Sequence, residues 1–220
     1  IHLPAVTPPF GWRRGLLGSA QARTTAVLRI TTEEGAVGEA YHEWSGPMLD
    51  DIVDRVLRQE LVGQLADRRE WLWHRLWELD RTEEFPIWLI GVVDVALWDL
   101  EGRVLGVPVH RLLGTYRESI PAYASTVTFP TADEYLDVAD QCLELGFPAI
   151  KLHAWGDARA DADLCQRLRS HVGPDVDLMY DGSAGFDLPS AVYLGDALAE
   201  AGYRWYEEPM REFSVTAYRW

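Results

Sequence analysis

Only two cysteines occur in the 220 residues, Cys142 and Cys165. Both fall in segments of helical periodicity, and neither has metal-type spacing. A disulfide framework and a zinc site are therefore excluded, and reduced, buried thiols are expected. Basic charge is also scarce: Lys and Arg total 20 against 35 Asp and Glu, for a net charge of −15. Nucleic-acid binding needs clustered cations that displace counterions, so that class of partner is disfavoured. No apolar run approaches the roughly 20 residues of a membrane span, and the first residues do not read as a signal peptide. There is no Walker A loop, no Gly-rich dinucleotide fingerprint after a strand, and no nucleophile elbow. No methionine precedes Ile1.

What is present reads as a globular, cytoplasmic chain that handles small molecules. The sequence is 48% hydrophobic and 25% charged, enough for a sizeable core. Its length allows one large domain or two ordinary ones. Ten tryptophans is a high count, and Trp71, Trp73 and Trp77 at helical spacing are expected in a core.

Residues 4–18 are rich in Pro and Gly and read as an irregular loop. Residues 24–32 and 36–41 alternate apolar and polar around Glu33-Glu34-Gly35, which predicts a hairpin. Amphipathic helices are predicted near 48–60 and 67–79. Residues 86–105 are apolar on most of their surface, which predicts a buried helix, stopped by Gly106-Val107-Pro108. After Gly114 the rhythm becomes strand then helix. Strand runs start near 120, 149, 176 and 203, a spacing of roughly 27–30 residues that fits a βα repeat with a parallel sheet. Helices are predicted at 131–145, with Thr131 as N-cap and Glu134 completing a capping box, and at 157–171 and 188–201. Another begins near Ser214. Four units are fewer than the eight of a closed barrel of about 250 residues. The two readings are a smaller open α/β sheet and a truncated barrel, and the abrupt start favours the second.

Three of these strands end in ionisable groups. Lys151 and His153 close one, Asp181 the next, and Glu207-Glu208-Pro209 the next. Strand side chains alternate, so Lys151 and His153 share a face. Two proton carriers on one strand end suit general acid–base work, and carboxylates on neighbouring strand ends suit a hard divalent cation. Each feature alone has a plain reading. Lys-x-His is common on surfaces and in cores, and Asp181-Gly182 is a turn signal. All three on successive strand ends of one repeat point to a site. His42, His74, His110 and His171 have no partners at ligand spacing.

Residues 93–100 (Val-Asp-Val-Ala-Leu-Trp-Asp-Leu), followed by Gly106-Val107-Pro108-Val109 and Leu112-Leu113-Gly114, resemble the signature of the mandelate racemase/muconate lactonizing branch of the enolase superfamily. The resemblance runs from residue 24 to Pro209. It implies an α/β fold, a modified (β/α) TIM barrel of which only about the first four strands are present, with an N-terminal α+β capping domain. The corresponding division is 1–115 for the cap and 116–220 for the first half of the barrel. It implies that Lys151 contacts a substrate carboxylate and that His153 is the acid/base facing the α-carbon. Asp181 and Glu207 would be Mg²⁺ ligands, with Glu208 the alternative register. A carboxylate α-proton is too weakly acidic for a side-chain base alone, so cationic stabilisation of the enediolate is needed. Such use of a Lys or His base with Mg²⁺ is a known pattern of this superfamily.

Two departures stand out. Ser183 occupies a position where many members carry Asn, and His153 replaces a second Lys. Trp12, Arg13 and Arg14 fall where the family's cap loop sets specificity, and are candidate contacts to a polyhydroxy acid. The expected activity is Mg²⁺-dependent dehydration of a sugar acid, with racemisation or epimerisation of a 2-hydroxy acid as the alternative. A truncated or inactive homologue is the non-catalytic reading. A third metal ligand and further acid/base groups are expected beyond Trp220, leaving the fragment itself inactive. The full-length form is expected to be a homo-oligomer.

Overall fold

The computed structural model describes residues 26–42, 46–83, 85–211 and 215–219. They divide into two compact units, one ending at Glu118 and the other starting at Ser119. No helix among them is long and apolar enough to cross a membrane.

The first unit is a hairpin and helices. Strands β1 (Ala26–Thr31) and β2 (Val37–His42) pair antiparallel, with Thr31 opposite Val37. Helices α1 (Gly46–Ile52) and α2 (Arg58–Leu61) are joined by a π-helical segment, Val53–Leu57. Next come α3 (Arg69–Glu83), α4 (Ile87–Leu105) and the short α5 (Val109–Leu112). Helix α4 lies against β2 so closely that a Cβ at Gly38 would collide with the Ala96 carbonyl oxygen. Gly106, in the left-handed region (φ 63°), ends α4, and Val107 N–H returns to the Gly102 carbonyl.

Two sequence expectations need correction in this unit. Helix α4 is not apolar-buried all round: Leu89, Ile90, Val93, Ala96, Leu97 and Leu100 are buried, but Val95 is 56% exposed. One stripe of the helix already meets the hairpin and its helical neighbours, and the opposite stripe keeps its apolar side chains outside. Trp71 and Trp77 are also exposed. Trp77 stacks on Trp73 with centroids 5.3 Å apart, while Arg68 lies over the Trp71 ring. Trp73 packs against the core as expected, while Trp71 and Trp77 stay on the exposed flank of α3.

The second unit is a parallel sheet of order β3-β4-β5-β6, with a helix in each crossover. Its strands are β3 (Ala124–Ser125), β4 (Ala149–His153), β5 (Asp177–Asp181) and β6 (Trp205–Glu207). The crossovers carry α6 (Ala132–Glu144), α7 (Ala158–Val172) and α8 (Leu188–Glu200). Thr131 caps α6 as expected, accepting the Glu134 N–H. Ile150, Leu152, Leu178 and Tyr180 alternate onto one face of the sheet and form a core with Leu164, Leu168, Leu194 and Leu198 of the helices. Cys165 is buried in that core, Cys142 half-buried, and both are free thiols. Strand β3 is shorter than expected: Ile120 is 76% exposed, and the ladder to β4 begins only at Ala124. Residue 214 lies outside the described residues, and Ala217–Arg219 form one 3₁₀ turn.

Candidate active site

Parallel register lines up the strand ends. His153 pairs with Asp181, and Asp181 with Glu207, so these three form one row across the sheet. The row behind it contains Ser125, Lys151, Met179 and Trp205. Alternation sends both rows to the face opposite the helix-packed core.

Lys151 reaches forward from its row to the next. Its Nζ donates to Glu207 Oε2 at 2.7 Å and to Asp181 Oδ2 at 3.1 Å. Its side chain is 8% exposed. Burial pulls the ammonium pKa down, but the Glu207 and Asp181 carboxylates outweigh it, and Lys151 stays firmly protonated. Burial likewise pushes the Asp181 carboxyl up. The Ser183 N–H, the Lys151 ammonium and His153 together reverse that, holding Asp181 below the usual carboxylate value.

The half-buried His153 has a defined orientation. Its Nδ1 is 2.6 Å from the Thr126 carbonyl oxygen, which can only accept, so Nδ1 carries a hydrogen. Nε2 is therefore the nitrogen that gains or loses a proton, and it lies 2.9 Å from Asp181 Oδ2. Thr126 also donates its N–H to the Lys151 carbonyl and accepts the His153 N–H through its hydroxyl. Tyr135 of α6 donates its hydroxyl to the His153 carbonyl.

Lys151, His153, Asp181 and Glu207 are thus brought together. Ser183 joins them through its main chain: its N–H donates to Asp181 Oδ1 at 2.8 Å, with its hydroxyl at 3.3 Å. It does so from the left-handed region (φ 48°), which non-glycine residues rarely adopt. Glu208 is exposed, also at positive φ (39°), and contributes its carbonyl to the Ala184 N–H. The segments after β5 and β6 run so close that a Cβ at Gly182 would sit 2.7 Å from the Glu208 carbonyl oxygen. Trp12, Arg13 and Arg14 lie outside the described residues.

Sequence reasoning missed Thr126, Tyr135 and Asp161. Asp161, in the first turn of α7, is fully buried. It accepts the Trp155 N–H (3.0 Å), the Gly156 N–H (2.9 Å) and the Tyr180 hydroxyl (2.6 Å). It thereby ties the loop following His153 to the residue preceding Asp181. The only local signal was an acidic residue near a helix N-terminus, which usually reads as a dipole effect.

Asp181 and Glu207 offer all-oxygen, anionic donors converging on one cationic centre, now the Lys151 ammonium. Such donors suit Mg²⁺, which binds through one or two carboxylates and keeps several waters. Among the described residues no group of three or more His, Cys, Asp or Glu side chains gathers as a ligand set.

Residues 11–114 match the family described as mandelate racemase/muconate lactonizing enzyme, N-terminal domain, and residues 134–220 match the enolase C-terminal domain-like family. The chain is 32% identical over 192 residues to the 3,6-anhydro-alpha-L-galactonate cycloisomerase of Streptomyces coelicolor, covering 83% of this chain and 53% of that protein. It superposes on a magnesium-complexed D-glucarate dehydratase from Agrobacterium tumefaciens with TM-score 0.84 at 32% identity, covering 89% of this chain and 55% of that one. A racemase from S. coelicolor with bound magnesium gives TM-score 0.85 at 28% identity, covering 96% and 62%. The chain spans about half the length of the curated relatives it matches.

Proposed function

The chain belongs to the mandelate racemase/muconate lactonizing enzyme family of the enolase superfamily, and from that premise we propose that the whole protein dehydrates a sugar acid by Mg²⁺-dependent removal of its α-proton. The observation that carries this reading is the row His153, Asp181, Glu207, with Lys151 bonded to both carboxylates. Residues 1–115 serve as the cap and 116–220 as the first half of the barrel.

Asp181 and Glu207 would hold the cation, whose chemistry is to neutralise charge developing on the substrate's carboxylate oxygens. Lys151 contacts that carboxylate as a second positive charge. His153 Nε2, the ring nitrogen left to exchange a proton because Nδ1 is held by Thr126, takes the α-proton once it is released from Asp181 Oδ2. Its return to the β-hydroxyl releases water and leaves an enol that becomes a 2-keto acid. Racemisation is the alternative, supported by the likeness to the magnesium-bound racemase. It shares the first step and replaces the proton at the α-carbon. Trp12, Arg13, Arg14, Ser183 and Glu208 remain the candidate substrate contacts, and a homo-oligomer is the expected full-length form. The 220-residue chain alone is expected not to turn over, because its described residues supply two carboxylates to the cation rather than three.

The test is a screen of sugar acids with the full-length protein and Mg²⁺, scored for keto-acid product and for α-proton exchange in deuterated solvent. His153→Asn should abolish exchange on the best substrate. Exchange at the wild-type rate would remove His153 from the reaction, and exchange without keto acid would favour the racemase.

A further inference from the structure

Lys151 and a divalent cation ask for the same oxygen atoms. Asp181 Oδ1 is engaged by the Ser183 N–H and hydroxyl. Lys151 Nζ bonds Asp181 Oδ2, which also lies 2.9 Å from His153 Nε2, and Glu207 Oε2, so a cation held by the two carboxylates would compete with the ammonium for them. An ammonium and a divalent ion on shared oxygens would also repel at close range in a half-dry site.

We propose that Lys151 holds the cation seat until a divalent ion displaces it, so that metal loading is the event that frees its ammonium for the substrate carboxylate. This rests on the reading of Asp181 and Glu207 as metal ligands. Binding is then ordered, metal before substrate. A lysine is suited to such an exchange, because its flexible stem starts one row behind the carboxylates, beside Met179. A second resting place is at hand, because the Tyr123 ring centroid is 5.7 Å from Nζ and that ring is braced edge-on by Trp205. A cation over an aromatic face retains attraction after leaving its carboxylates.

The composition makes the exchange measurable. Lys151 is the only lysine in the sequence. Reductive methylation of the full-length protein with ¹³C-formaldehyde, compared with the same reaction on Lys151→Met, therefore isolates this side chain, with the terminal α-amine as internal reference. If the seated amine is free no more than a tenth of the time, Mg²⁺ should raise Lys151 methylation about tenfold relative to the terminus. NaCl at equal ionic strength should leave the ratio unchanged. Lys151→Met assigns the signal. In Asp181→Asn/Glu207→Gln, methylation should be fast without Mg²⁺ and indifferent to it. Calorimetry in parallel separates the possible failures. Mg²⁺ binding with unchanged methylation overturns the exchange alone. No Mg²⁺ binding by either the wild type or Lys151→Met overturns the metal-site reading and the exchange with it.

Discussion

Tyr180→Phe removes one hydroxyl and nothing else from the buried link between the loop after His153 and the strand ending in Asp181. The hydroxyl donates to Asp161 Oδ2 at 2.6 Å, and both residues are fully buried. A hydrogen bond to a charged group contributes about 1.5–3 kcal/mol. The Gly156 N–H remains on the same oxygen at 2.9 Å, so the lower half of that range, about 1.5–2 kcal/mol, is expected. With a urea slope of roughly 1–3 kcal/mol/M, the midpoint should fall by about 1 M. The two compact units need not unfold together, so the reporter should be local: pulse labelling of Cys165, which lies in the same core as Tyr180. Asp161→Ala should cost more than Tyr180→Phe, because the buried Tyr180 hydroxyl and the part-buried Trp155 and Gly156 N–H groups all lose that acceptor. Once Asp161 is gone, adding Tyr180→Phe should be nearly neutral, since the hydroxyl it deletes has lost its carboxylate. An equal cost of Tyr180→Phe in both backgrounds would refute the link.

Three further outcomes are expected. Burial pushes the Cys165 thiol up to about 12; at pH 8 the native thiolate fraction is on the order of one in ten thousand, so a thiol reagent should react only on unfolding, and prompt native labelling would contradict the burial. Because that pKa is raised in the folded state, its contribution to stability is complete below the ordinary thiol range and is lost as pH climbs towards 12, which alkaline melts should show as a fall in Tm steeper than that of Cys165→Ala, where the raised Tyr203 phenol still titrates. Gly182→Ala sets a Cβ 2.7 Å from the Glu208 carbonyl and 3.0 Å from Pro209 Cα, backbone against backbone, and should cost about 1–3 kcal/mol in urea; a cost below about 0.5 would mean the two segments part freely. Thr131→Ala removes the α6 cap and should cost about 1 kcal/mol, with Thr131→Ser restoring most of it; no difference between the two variants would discount the cap.

The repeat of the second unit was legible because it is local. Alternating apolar runs, the capping box at Thr131 and the glycines closing each helix all declare themselves within a dozen residues. The active row was legible for a related reason: His153, Asp181 and Glu207 end their own strands, Lys151 lies two residues behind His153, and a parallel sheet aligns ends. What escaped depends on distant pairing. Asp161 acquires its meaning from Tyr180, 19 positions later, and Thr126 from the His153 ring, 27 positions away. Neither has a periodicity to betray it. Burial of Val95, Trp71 and Trp77 was misjudged because hydrophobic spacing tells which side chains share a stripe, and not whether that stripe is covered.

Register has a consequence for how the gene can change. The row His153–Asp181–Glu207 is set by counting along β4, β5 and β6. One residue inserted within β5 would shift Asp181 out of line and turn it onto the helix side. Insertions before the strands, where α6 to α8 hand over to them, leave the count intact. Those after the strands reshape only what overhangs the row. Descendants of this chain are therefore free to lengthen at either end of each unit and bound to keep the number of residues across its middle.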